Sequence, residues 1–134
     1  MVEILLYLAR HCGFLFRPGW FRFVDSRVDE SFGGDAYVIL ESKTLRLQFT
    51  WDRGQLLLCF QPIDGSTTEW FSPGLLRGLL VGDRGGSEVL NEEWATFLAT
   101  SVEEFERRIG GPERDATLQA FRKQARSRAK ELFG

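Results

Sequence analysis

The sequence predicts an α+β fold. A four-stranded antiparallel meander sheet over residues 20–61 is flanked by an N-terminal helix and by C-terminal helices, residues 72–132, packed on one face. Three observations predict it. Thr44-Leu45-Arg46-Leu47-Gln48-Phe49-Thr50-Trp51-Asp52 alternates polar and apolar residues without a break, and successive side chains of a strand point to opposite faces. Leu45, Leu47, Phe49 and Trp51 therefore share an apolar face, and Thr44, Arg46, Gln48 and Thr50 a wet one. The connections between strands are too short for the crossover that a parallel return requires, so neighbouring strands run antiparallel. Beyond Ser72 the apolar residues recur at helical spacing.

Each element has its own signal. Val2, Leu5, Leu6, Ala9 and Cys12 are spaced as one stripe of a helix over residues 2–12, which Gly13 ends. Pro18-Gly19 turns the chain into strand one, Trp20 to about Val28, with Phe21 and Phe23 facing in. Val24 breaks its alternation, and a bulge is expected there. Ser31 to Asp35 connects to strand two, Ala36 to Glu41, and Ser42-Lys43 leads into strand three. Asp52-Arg53-Gly54 reads as a three-residue hairpin loop with Gly54 at positive φ, before strand four, Gln55 to Gln61.

Ser72 and Pro73 open a short helix with Leu75, Leu76, Leu79 and Leu80 on its apolar side, stopped by Gly82. Asn91 caps a helix to about Ile109, whose buried stripe is Trp94, Phe97, Leu98, Val102, Phe105 and Ile109. After Gly110-Gly111-Pro112 a last helix runs to about Leu132, with Leu118, Phe121, Ala125, Ala129 and Leu132 inward. A chain of 134 residues suits one domain, and residues 1–134 are read as a single α+β unit.

The composition is that of a protein with a core: 43% hydrophobic, with twelve Phe and four Trp. A net charge of -2 does not oppose collapse. Cys12 and Cys59 are far apart and make no disulfide framework, so two reduced thiols are expected. Met1-Val2-Glu3 lacks a basic signal-peptide start, and the apolar run Ile4 to Ala9 is far shorter than a membrane span. A cytoplasmic, bacterial protein without a membrane partner is expected.

Catalytic chemistry finds little support. His11 is the one histidine, so any Ser-His-Asp or Cys-His site depends on it. Its neighbour Cys12 would point about 100° away on a helix, and a helix-end histidine is the simpler reading. No CxxC or HExxH is present. Asp25, Asp29, Glu30 and Asp35 cluster without calcium-loop spacing. Gly82-Asp83-Arg84-Gly85-Gly86-Ser87 follows a helix, whereas a phosphate cradle follows a strand. No catalytic residue, metal site or cofactor is assigned.

Charge is distributed unevenly. Residues 82–113 hold eight acids against three arginines, and residues 114–134 six bases against two acids. Arg122, Arg126 and Lys130 lie on one flank at i, i+4, i+8, the pattern of a nucleic-acid contact. Mutual neutralisation of two antiparallel helices explains the same pattern more simply, and a pI near 5.5 opposes general nucleic-acid affinity. Asp25 and Arg27 inside strand one, with Arg46, Gln48 and Tyr37, form a candidate binding patch on the wet face; cross-strand pairing is the structural reading of the same residues. Trp70 and Phe71 are candidate anchors if exposed and core residues otherwise.

The segment Arg22-Phe23-Val24-Asp25-Ser26-Arg27-Val28, followed by Leu45-Arg46-Leu47-Gln48-Phe49 and Asp52-Arg53-Gly54-Gln55-Leu56, resembles small uncharacterised bacterial proteins. In size and acidity the chain also resembles the immunity proteins that neutralise polymorphic toxins. The resemblance implies a protein partner and binding by stoichiometric contact, through the wet sheet face or the acidic helix. The alternatives are an enzyme or small-ligand protein with a pocket between sheet and helices, using Arg27 and Arg46, and a nucleic-acid accessory protein using the last helix.

Overall fold

The computed structural model describes residues 1–29, 35–63, 69–82 and 89–133. Helix α1, Val2–His11, leads through a 3₁₀ turn, Gly13–Phe16, into strands β1, Arg22–Asp29, β2, Asp35–Glu41, β3, Leu45–Asp52, and β4, Gln55–Pro62. Helices α2, Pro73–Val81, α3, Glu92–Gly110, and α4, Arg114–Phe133, follow. The strands lie in the order β1-β2-β3-β4, every pair antiparallel, as the alternation and short connections dictate.

The apolar face is built from alternate residues in register. Val38 pairs with Phe49 and Phe49 with Leu58; Leu40 pairs with Leu47 and Leu47 with Phe60. All six are buried, together with Ala36, Leu45 and Leu56. The helices roof this face: the Tyr7 ring approaches Phe49 at 6.4 Å, and Phe105 and Phe121 meet Phe60 at 4.8 and 5.4 Å. Phe71 completes a four-ring cluster, 5.8 Å from Phe60 and 5.6 Å from Phe121. Each fully buried Phe contributes about 1.5–3 kcal/mol, and the edge-to-face contacts of Phe60, Phe105 and Phe121 add to that.

Several local expectations change. In α1 the buried stripe is Ile4, Tyr7 and Leu8, continued by Cys12, whereas Val2, Leu5, Leu6 and Ala9 are exposed. The helix is apolar on two faces, and the face carrying Tyr7 turns inward, where the phenol donates to the Asn91 carbonyl at 2.8 Å. Phe23 of β1 was expected inside; Phe21 is buried but Phe23 is 54% exposed, because the helix layer stops short of this strand. The β3–β4 loop has two residues, since Asp52 pairs with Gln55. Arg53 at φ 52° and Gly54 at φ 79° give the doubly positive turn that matches strand twist.

Other signals hold. Pairing slips between Phe23 and Asp25, leaving Val24 as the bulge residue. Asn91 Oδ1 caps α3 by accepting from Trp94 N at 2.9 Å, and Gly82, at φ 74°, closes α2. Leu75 and Leu76 are buried and Leu80 packs against the core, as are Leu118 and Phe121 with Ala125 beside them. The Gly-rich stretch 83–87 and the side chains of Leu79, Ala129 and Leu132 lie outside the described residues.

A carboxylate ties the layers together. Glu106 of α3 accepts hydrogen bonds from Trp20 Nε1, Ser42 Oγ and Thr44 Oγ1. It thus fastens the entry to β1 and the β2–β3 turn to the helix layer. Ser42 Oγ also accepts from Leu45 N at 3.1 Å, so one buried hydroxyl both shapes the turn and reports to α3.

Candidate binding surface

With the helices on the Phe49 side, the opposite side of the sheet is uncovered among the described residues. Its side chains fall in cross-strand rows given by the register. The first row runs Arg22, Glu41, Arg46, Gln61. Arg46 Nε donates to Glu41 Oε2 at 2.8 Å and Nη1 to Gln61 Oε1 at 3.0 Å, while Arg22 reaches Glu41 at 3.6 Å. The second row is Asp25, Ile39, Gln48, Cys59, and the third Arg27, Tyr37, Thr50, Leu57. Tyr37 Oη donates to Asp25 Oδ2 at 3.3 Å, and Gln48 Nε2 to Thr50 Oγ1 at 3.5 Å. At the far end Asp29 pairs with Asp35, and with Asp52 they rim a shallow hollow of about 270 Å³.

The surface is therefore zoned. Tyr37, Ile39, Leu57 and Cys59 are half-buried by their neighbours and make an apolar centre. A bonded arginine–glutamate row closes one end and an aspartate row the other. An apolar centre with a polar rim is the anatomy of a protein-binding patch. It lacks the enclosure of a small-molecule site.

Of the residues singled out from the sequence, Asp25, Arg27, Arg46 and Gln48 meet on this side of the sheet. Arg46 serves cross-strand pairing, whereas Arg27 has no ion-pair partner among the described residues. Because Arg27 and Arg46 point away from the helices, they do not line a cavity between sheet and helices. Phe71 is not a surface anchor: it is 3% exposed, held in the four-ring cluster by reciprocal backbone hydrogen bonds with Phe60. Its neighbour Trp70 is 38% exposed. The apolar centre was hidden in the sequence by its own strand: Leu56-Leu57-Leu58-Cys59-Phe60 is a continuous apolar run, the mark of a strand apolar on both sides.

Other candidates resolve simply. His11 is exposed and rests on the Tyr7 ring at 5.3 Å. Cys12 and Cys59 are free thiols, and burial pushes the Cys12 thiol up to about 12. No group of three or more His, Cys, Asp or Glu among the described residues is placed to hold a metal ion, and no described helix is long and apolar enough to cross a membrane. The expected neutralisation of α4 by α3 is not what forms among the described residues. Glu104 pairs with Arg107 and Arg108 of its own helix, which hold its carboxyl below the usual range. Glu103 pairs with Arg17 and Glu93 with Arg77, while Arg122 of α4 pairs with Glu69 at 3.0 Å. The physical reason is reach: these acids find arginines one turn away in α3, on α2, or on the segment that precedes β1.

No family model, curated protein or solved structure matches this chain.

Proposed function

We propose that this chain is a protein-binding protein that acts by stoichiometric contact through the open side of its sheet. The specific form suggested is an immunity-type inhibitor in the bacterial cytoplasm. The observation that supports the reading is the zoned surface, with Tyr37, Ile39, Leu57 and Cys59 at its centre and charged rows at its ends. The acids of α3 are less suited, because Glu93, Glu103, Glu104 and Glu106 are already engaged in local bonds. Charged ends would speed encounter, and the apolar centre would set the residence time. The partner is a protein; nucleic acid fits poorly with a pI near 5.5.

The test is quantitative recovery. The tagged chain at native abundance, and then with the products of neighbouring genes, should retain one protein at one-to-one stoichiometry. Leu57→Glu, placed in the middle of the surface, should abolish that retention, while Glu92→Lys on the exposed side of α3 should leave it intact. A partner that is lost with Glu92→Lys and kept with Leu57→Glu would transfer the function to the helix. No stable partner at all would sink the reading.

A further inference from the structure

β1 is an edge strand unlike its neighbours. Every residue from Arg22 to Val28 is exposed, on both sides of the strand. Phe23, Val24 and Val28 are 54%, 42% and 50% exposed, and with Met1 and Leu5 of α1 the first two line a groove of about 570 Å³. An exposed edge offers a row of unpaired backbone groups to another strand. The pattern of side chains along it decides which strand it suits.

We propose that β1 pairs with β1 of a second copy of this chain, antiparallel about a two-fold axis through Ser26, joining two sheets into one of eight strands. Symmetric strand pairing places residues whose numbers have a constant sum opposite each other, and opposed residues share a face. Asp25, Arg27 and Asp29 lie on the open side and Ser26 and Val28 on the other, where the bulge residue Val24 borders the groove with Met1 and Leu5. Pairing about Ser26 sets Asp25 against Arg27 twice and Val24 against Val28 twice, each on its proper side. Pairing about Arg27 would oppose Arg27 to Arg27 and Asp25 to Asp29. Pairing about Asp25 would oppose two aspartates.

The neighbouring contacts agree. Arg27 has no ion-pair partner among the described residues, and Asp25 accepts from Ser26 N at 2.8 Å and Tyr37 Oη at 3.3 Å without a cation. The second copy supplies the missing charge to both. The Val24 bulge sits at the end of the paired stretch, where it stops the ladder before Phe23. The opposite edge of the sheet is occupied at Phe60 and Leu56, which bond to Phe71 and Leu90. Pairing therefore ends at two copies and does not propagate. The open faces of both copies become continuous, so each dimer presents two copies of the proposed docking surface side by side.

Sedimentation equilibrium of the full chain across the micromolar range tests this. The wild type is expected to show a concentration-dependent dimer, weak because a short strand pair buries far less than a standard interface. Arg27→Glu should weaken it about tenfold or more by opposing like charges, and the double variant Asp25→Arg/Arg27→Glu should restore it to within about threefold by re-forming both pairs. Val28→Lys, at an exposed site that folding does not need, should also give a monomer, and it should still hold the partner that Leu57→Glu loses. Failure of the dimer is thus separable from failure of the binding surface. A wild type monomeric throughout the range, or a dimer indifferent to Arg27→Glu, or one not restored by the charge swap, overturns the proposal.

Discussion

The two edges of the sheet are made from strands of equal length, yet they meet opposite fates. β4 is sealed: Phe60 and Phe71 exchange two backbone hydrogen bonds of 2.8 Å, Leu90 N donates to Leu56 O at 2.8 Å, and helices α3 and α4 meet its inner side through Phe105 and Phe121. β1 is exposed on both sides, with the Phe23 ring stacked on Phe16 at 5.2 Å, and carries a bulge and alternating charges. The difference teaches where stability and interaction are placed. The apolar material lies at one edge, and the other is left with the charge pattern that specifies a register.

The largest expected effect breaks the comparison from the sealed side. Phe60→Ala should cost about 3–5 kcal/mol in denaturant unfolding, because it empties the centre of the ring cluster. Phe23→Ala on β1 should cost less than about 1 kcal/mol, since it removes a ring already exposed. Near-equal costs would mean that β1 is as integral to the core as β4.

Glu106→Ala comes next, at about 2–4 kcal/mol. It strands three donors, of which the Ser42 hydroxyl belongs to a buried residue. It should also loosen β1 selectively, read as faster amide exchange in β1 than in β4, because Trp20 is one of the three groups it holds.

Alkaline pH gives a third test. Burial raises the Cys12 thiol from 9.0 to about 12 and raises the neighbouring Tyr7 phenol as well. The folded state therefore holds these protons more tightly than the unfolded chain. The associated stability is intact below about pH 9 and is lost as pH rises toward 12. Cys12→Ala should flatten that decline in an unfolding series. In the native protein, a thiol reagent at neutral pH should modify the half-buried Cys59 well before the fully buried Cys12.

The smallest effect sharpens the turn that leads from β3 into the sealed edge strand β4. Arg53 is the non-glycine residue at positive φ among the described residues, and Arg53→Asn should stabilise by about 0.5–1 kcal/mol in the same assay.

Much of this fold was readable in the sequence, for physical reasons that differ between elements. β3 was clear because its period is unbroken, and α3 because its cap and its six-residue stripe agree. α1 was misjudged because it is apolar on two faces, and only the tertiary bond from Tyr7 to Asn91 selects between them. The alternation of β1 puts Phe23 inside, because a strand cannot by itself tell how far the helical roof extends. The polar half of the candidate surface was visible in Asp25, Arg27, Arg46 and Gln48, but its apolar half, Ile39 and Leu57, emerges only when the strands are set side by side. Phe71 was ambiguous because a buried aromatic and an exposed one look alike in a sequence.

The ring cluster has a consequence for the order of events in folding. Phe60, Phe105 and Phe121 are brought together from distant parts of the chain, whereas the strands pair with immediate neighbours. Closing short loops costs less chain entropy than closing long ones, so the meander should assemble first and wait, greasy side bare, for its roof. During synthesis α1 should complete its docking only after Asn91 has emerged, because the acceptor for Tyr7 is the carbonyl of that residue.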